Sequence, residues 1–451
     1  MKKQILLIFF LCFTIILQAQ VTKTVNITAG GLTSTELTTV TNLTITGTID
    51  ARDFVTMNEA TALKVIDLSG ANIIAYTGTW GTAGINSTSY SANTIPHYAF
   101  LNCIKLTSIT IPSSVTSIGD GAFEGCTGLT SITIPLHVTS IASGAFSGCA
   151  GLTSINIPSS VTSIASGAFS GCTRLTSIDI PSSVTYIGGG AFADCAGLTW
   201  IDIPSSVTSI GEEVFFSCNS LSSITIPSSV TSIGANAFEY CWNLISTTIP
   251  SSVDSIGNYA FSDCRGLTSI NIPSSVTYIG SSAFSNCWDL TSITIPSSVI
   301  SIGESAFSDC TGFKSIYSYA AIPIDLSLSS DVFNSVNKVT CTLYVPVGSK
   351  SAYKAANQWK DFANIVEMTT AISTITNSNI SLYPNPITES FQINGFEGLA
   401  TMTISDLNGK AILTKQVISN ESISVGTLPK GMYILKVITN EGTIERKVVI
   451  K

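Results

Sequence analysis

Apolar and polar positions follow a fixed phrase between Leu106 and Cys126. Ile109 and Ile111 flank Thr110, the alternation of a short strand with one face inward. Pro112 follows, where a strand stops donating ladder hydrogen bonds. Val115 and Ile118 are spaced to return to the core from the far side. Gly119 offers a bend, Ala122-Phe123 is a small–large pair, and Cys126 closes the phrase. The phrase recurs every 23 residues, marked by Cys103, Cys126, Cys149, Cys172, Cys195, Cys218, Cys241, Cys264, Cys287 and Cys310. A phenylalanine stands three residues before each, from Phe100 to Phe307, and the prolines from Pro112 to Pro296 keep the same step. Self-similarity at a fixed step is the signature of a solenoid, in which one repeat is one turn. No single turn can bury these residues; stacking buries each against its counterparts above and below.

The ends of the array depart from the phrase, as capping turns do. Val40-x-x-Leu43-x-Ile45 and Leu63-x-x-Ile66-x-Leu68 fit the strand template at another spacing and read as N-terminal caps. Residues 71–95 are a Gly/Ser/Thr/Asn-rich insertion. At the other end Thr342–Pro346 reads as a strand, and Ser351–Phe362 as a short helix carrying Tyr353, Trp359 and Phe362. A Thr/Ser/Asn/Ile-rich linker covers 369–381. Short alternating segments follow, separated by turn signals such as Asn408-Gly409 and Pro429-Lys430-Gly431; they predict a small β-sandwich.

Charge and composition narrow the function. The net charge of −8 supplies no basic stripe for phosphates and argues against nucleic-acid partners. Charged residues are only 11% of the chain, yet its Ile, Val, Thr and Phe content is that of a folded protein. Met1-Lys2-Lys3, an apolar run from Ile5 to Leu17 and Gln18-Ala19-Gln20 form a signal peptide over 1–19. The run is shorter than the ~20 residues a spanning helix needs. The predicted organisation is a signal peptide (1–19), caps and insertion (20–98), solenoid (99–318), C-terminal cap (319–368), linker (369–381) and C-terminal domain (382–451).

The phrase from Leu106 to Gly119, with Ala122-Phe123-x-x-Cys126, resembles the BspA-like leucine-rich repeats of bacterial and some protist surface proteins over roughly residues 40–368. Departures are local: Val214 replaces Ala, Thr247 replaces Ile, and Phe313 replaces Leu. The C-terminal segment resembles the sorting domain of the type IX secretion system. The matching features are Tyr383-Pro384-Asn385-Pro386, Asp406-Leu-Asn-Gly-Lys410, Leu428-Pro-Lys-Gly-Met-Tyr433 and Lys447–Lys451. That resemblance implies the type IX machinery as a partner, export across the outer membrane, and a cell-surface or extracellular location.

Residues 23 apart fall into columns ~5 Å apart, the spacing of neighbouring strands. The cysteine column reads as a ladder of buried, reduced thiols, because parallel side chains on adjacent strands rarely reach disulfide torsions and no paired zinc spacing is present. Thr110, Thr133, Asn156, Asp179, Asp202, Thr225, Thr248, Asn271 and Thr294 form an outward column expected on the concave face. Within it Asp179 and Asp202 adjoin, next to Asn156, and Trp200 replaces Ser in the neighbouring column. Two stacked carboxylates repel unless a cation or ligand lies between them, and an exposed tryptophan is the composition of an interaction hot spot. Repeat drift on a solvated face is the competing reading. Trp242, Arg265 and Trp288 share another column, either a structural cation–π clamp or a glycan-stacking platform. His97 and His137 are isolated, and no nucleophile, nucleotide, metal or cofactor motif is present.

The resemblance implies a secreted or cell-surface recognition or adhesion protein, not an enzyme, binding protein or glycan partners through the concave repeat face. The alternative is a structural spacer of the surface layer. Regular threonine columns also resemble ice-binding surfaces, which the expected curvature of the array disfavours.

Overall fold

The computed structural model describes residues 20–82, 88–368, 381–383, 387–395, 399–406, 410–426, 428–439 and 442–451. The expected signal peptide (residues 1–19) and residues 369–380 of the expected linker lie outside them. The chain divides into two compact units, the larger comprising the chain up to Val345 with Ser349–Val366 and the smaller Pro346–Gly348 with Glu367–Lys451.

The larger unit is the solenoid. Each regular turn begins with a strand of three or four residues, such as Ser131–Thr133, Ser154–Asn156 and Ser177–Asp179. Successive strands pair in parallel, Ile132 opposite Ile155 and Ile178 opposite Ile201. A two-residue strand on the far side, such as Ser140–Ile141, pairs with its counterpart in the next turn, Ser163–Ile164. A third ladder closes the back: Gly121 N–H donates to the Ser143 carbonyl, Phe123 to Ala145 and Gly125 to Ser147, at 2.7–2.9 Å. Every turn thus satisfies its buried backbone through its neighbours.

The interior is made of columns. Phenylalanine rings from Phe100 to Phe307 stack in near-parallel order; Phe123 and Phe146, for example, have centroids 5.5 Å apart and planes 1° apart. All of these rings are fully buried. Each described cysteine is a free thiol. From Cys126 to Cys310 the thiol donates to the carbonyl of the phenylalanine of the preceding turn, Cys126 Sγ to Phe100 O and Cys149 Sγ to Phe123 O both at 3.1 Å. Burial pushes Cys149, Cys195, Cys241 and Cys310 up to about 12. The second serine of the Pro-Ser-Ser-Val turn has its own ladder, with Ser160 Oγ donating to Val138 O and Ser183 Oγ to Val161 O at 2.6 Å.

The bend expected at Gly119 lies elsewhere. The chain turns at two left-handed positions, five residues and one residue before each cysteine. The first series runs Gly121, Gly144, Gly167, Gly190, Glu213, Asn236, Tyr259, Ser282 and Ser305; the second runs Gly125, Gly148, Gly171, Asp194, Ser217, Tyr240, Asp263, Asn286 and Asp309, all with φ between 53° and 71°. Gly119 is small for another reason: a Cβ there would lie 2.6 Å from the backbone nitrogen of His97 in the turn below.

At the N-terminal end three strands extend the long ladder: β1 (Thr22–Ile27), β2 (Asn42–Ile49) and β3 (Val65–Ile73). They pair in parallel and in order with Ser108–Thr110. β2 and β3 carry the two predicted strand templates; β1 was not foreseen. Between β2 and β3 a helix, α1 (Ala51–Glu59), packs Phe54 edge-on against Phe100 with centroids 5.8 Å apart. α1 is held by a capping box, in which Asp53 Oδ2 accepts the Asp50 N–H at 2.9 Å. Asp53 also accepts from the Gly30 and Leu32 N–H groups at 2.8 and 3.0 Å, so its buried carboxylate is satisfied. Residues Tyr76–Gly78 and Thr88–Tyr90 of the insertion form an antiparallel pair.

At the C-terminal end Thr342–Val345 forms the expected strand, and Asn364–Glu367 adds one more. The helix predicted over Ser351–Phe362 is shorter. It spans Lys350–Ala355 and gives way to a 3-10 turn at Trp359–Asp361. The break is Gln358, left-handed at φ 63°, whose Oε1 accepts the Val332 N–H at 2.9 Å and whose Nε2 donates to Leu326 O at 3.2 Å.

The smaller unit carries two antiparallel sheets. One joins Ser381–Tyr383, Ser390–Asn394 and Ser422–Ser424; the other joins Leu399–Ser405, Ala411–Ile418, Gly431–Thr439 and Gly442–Ile450. Ile387, Phe391, Ile393, Met402, Ile404 and Val448 share one core. This is the expected β-sandwich.

Candidate functional site

The strand register assembles the outward column read from the sequence. Asn156 is the partner of Asp179, and Asp179 of Asp202. Each lies in a three-residue strand whose central Ile is buried and whose flanking side chains are exposed. Trp200 opens the same strand as Asp202, two residues away and therefore on the same face. It stands opposite Ser177 and is 47% exposed. Among the described residues neither carboxylate has a cationic partner; the ion pairs all lie elsewhere.

Beside this patch the same face forms a groove of about 570 Å³, lined by residues including Thr110, Thr133, Pro135, Leu136 and Asn156. Leu136 stands where most turns have serine and is 76% exposed at its lip. In the other direction the outward column carries a pair that the fixed step did not reveal. Tyr317 pairs with Thr294 and with Tyr344, and the two tyrosine rings stack with centroids 4.7 Å apart. Tyr344 lies off the 23-residue step because the loop before it is longer, so only the structure aligns the two.

The second candidate column is also assembled. The Arg265 guanidinium lies 5.4 Å from the Trp242 ring centroid and 4.4 Å from that of Trp288. Its Nε and Nη2 donate to Asp263 Oδ1 at 3.1 and 2.8 Å, and Asp263 Oδ2 accepts from Asn286 Nδ2 at 3.1 Å. Both faces of the guanidinium and two of its donors are thus engaged.

The histidines lie apart. His97 Nδ1 accepts the Asp120 N–H at 2.9 Å, and His137 Nδ1 sits 3.1 Å from the Ser113 carbonyl. Among the described residues no group of three or more His, Cys, Asp and Glu side chains is arranged to hold a metal ion. Of the sorting motif, Tyr383 lies in the strand Ser381–Tyr383, while Pro384, Asn385 and Pro386 lie outside the described residues.

A stack of parallel leucine-rich turns, followed in the chain by a separate β-sandwich, defines the class, a leucine-rich repeat protein with an additional β domain. Residues 93–207 and 187–314 match the BspA type leucine-rich repeat region in six copies. A solved leucine-rich repeat protein from Bacteroides ovatus is 30% identical, over 67% of this chain and 80% of its own, with a TM-score of 0.51. A leucine-rich cell surface protein from Faecalibacterium prausnitzii is 28% identical, over 74% of this chain and 80% of its own, with a TM-score of 0.42. The chain belongs to the BspA-type leucine-rich repeat family. Residues 381–451 match the secretion system C-terminal sorting domain, which directs export through type IX secretion to the cell surface. No curated protein matches the chain. The family and its solved neighbours are repeat proteins, not known enzymes. Among the described residues no helix is long and apolar enough to cross a membrane.

Proposed function

We propose that this cell-surface protein is a recognition or adhesion protein, binding a protein or glycan partner through the strand face of the solenoid. The centre of the site is Asn156, Asp179, Trp200 and Asp202. The observation that carries this reading is the register pairing of Asp179 with Asp202, two exposed carboxylates with no cationic side-chain partner among the described residues, on the face that also exposes Trp200. A partner's positive group or hydroxyls can donate to the two carboxylates, and the indole supplies a flat apolar surface. Trp242, Arg265 and Trp288 act as a clamp along the solenoid edge, since Arg265 is already committed to Asp263.

The test is a solid-phase screen of the full chain against matrix proteins, glycans and cells, repeated with Asp179→Asn, Asp202→Asn and Trp200→Ser. Binding that weakens tenfold or more, about 1.4 kcal/mol, supports the site. Absence of any binding by the unmodified protein points instead to a structural spacer. Binding unchanged in all three variants moves the site to another part of the face.

A further inference from the structure

The first ladder cysteine has no thiol beneath it. In the regular turns each thiol reaches a phenylalanine carbonyl one turn down, but the place below Cys103 is taken by the C-terminal end of α1. Cys103 Sγ therefore donates to Asn58 Oδ1 at 3.0 Å. A helix end does not fill the volume of a Cys–Leu corner, and a cavity of about 200 Å³ remains between α1 and the first regular turn. Its walls include Met57, Leu63, Ile66 and Leu106, whose side chains otherwise belong to the buried core. Thr61, Asn102, Ile104 and Lys105 also line it and are exposed, so the cavity opens between Thr61 and the Asn102–Lys105 segment. Lys105 is the one charged residue among those lining it.

An apolar chamber with a single cation at an exposed mouth suits a molecule with an apolar body and an anionic head. We propose that this cavity binds a medium-chain carboxylate of about six to eight carbons, since an apolar cavity of roughly 150 Å³ already holds a benzene-sized molecule. The chain lies against Met57, Leu63 and Leu106, and the carboxylate meets Lys105 at the mouth. The site is remote in sequence from the acidic patch and stands whether or not the strand face binds a partner.

Cys103 provides the readout. It is the one partly exposed thiol of the ladder, the others being buried; burial still pushes it up to about 12, so labelling is slow and is followed over hours. The experiment measures maleimide labelling of Cys103 in the full-length protein by mass spectrometry, with octanoate, octanol or octylamine present. At ten times its Kd, octanoate slows labelling about tenfold, because only about a tenth of the sites remain free. Octanol protects less at equal concentration, and octylamine least. Lys105→Gln, an exposed substitution, abolishes the advantage of octanoate over octanol and leaves octanol protection in place. Ala60→Phe, which fills the cavity, removes protection by both. Labelling indifferent to every octyl compound overturns the proposal, as does octylamine protecting as well as octanoate. Should Ala60→Phe fail to fold, the Lys105→Gln comparison still decides.

Discussion

Between Gly121 and Gly190 the left-handed positions of the turns are glycines; from Asp194 to Asp309 none is. The backbone is the same in both stretches, yet an L-residue in this conformation costs ~1–2 kcal/mol that glycine does not. Local preference therefore does not set the turn geometry in the second stretch. The shared ladders and the phenylalanine and cysteine columns do. The second stretch also uses the side chains it carries there. Asp263 holds Arg265 and Asn286, Asn236 bonds Glu239, and Tyr240 packs edge-on against Phe216. The first stretch presents bare backbone at the same positions.

The largest effect comes from removing what both stretches share. Thiols held up to about 12 by burial ionise more readily in the unfolded chain, whose ordinary value is 9.0. Their contribution is complete below pH 9 and is lost as pH rises towards about 12, by up to ~1.4 kcal/mol per thiol per pH unit. Urea midpoints should fall steeply over this window, and Cys126→Ala, Cys149→Ala and Cys172→Ala together should flatten the fall. A flat profile in the unmodified protein would break the account of a common ladder.

Next comes Gly171→Val in the glycine stretch. Its Cβ would meet the Gly148 Cα at 3.4 Å, and a β-branched left-handed residue costs about 2 kcal/mol or more, readable as a lower melting temperature. The reverse change, Ser282→Gly, should stabilise by up to about 1 kcal/mol, because relieved strain exceeds the added chain entropy. Asp263→Gly sharpens the comparison, since there the lost bonds to Arg265 and Asn286 should reverse the sign. The smallest effect is Trp242→Ala, which removes one exposed cation–π contact worth about 0.5–1 kcal/mol. Equal, favourable effects of Ser282→Gly and Asp263→Gly would mean that the decorated stretch gains nothing from its side chains.

The repeat made most of this fold legible because stacking converts equal spacing into contact. Ile132 and Ile155, Asp179 and Asp202, and Trp242, Arg265 and Trp288 meet as the 23-residue step requires. What escaped lies where the step fails. α1 rests on a capping box and on bonds that Asp53 accepts from the Gly30 and Leu32 N–H groups, contacts that no period announces. The left-handed column was hidden because Asp194, Ser217 and Tyr240 are not turn-forming glycines; their conformation is imposed by tertiary hydrogen bonds. Tyr317 and Tyr344 were missed because a longer loop separates them, and the cavity at Cys103 is a packing defect between two kinds of element.

The parallel ladder has one consequence for length. Because each turn rests only on its neighbours, whole turns can be gained or lost with the joints on either side identical. Each such event between them moves the acidic pair and the Tyr317–Tyr344 pair apart or together by ~4.8 Å along the stack, with the small rotation that one turn adds. The solenoid is thus a ruler graduated in turns, and any partner touching both marks measures how many copies the chain carries.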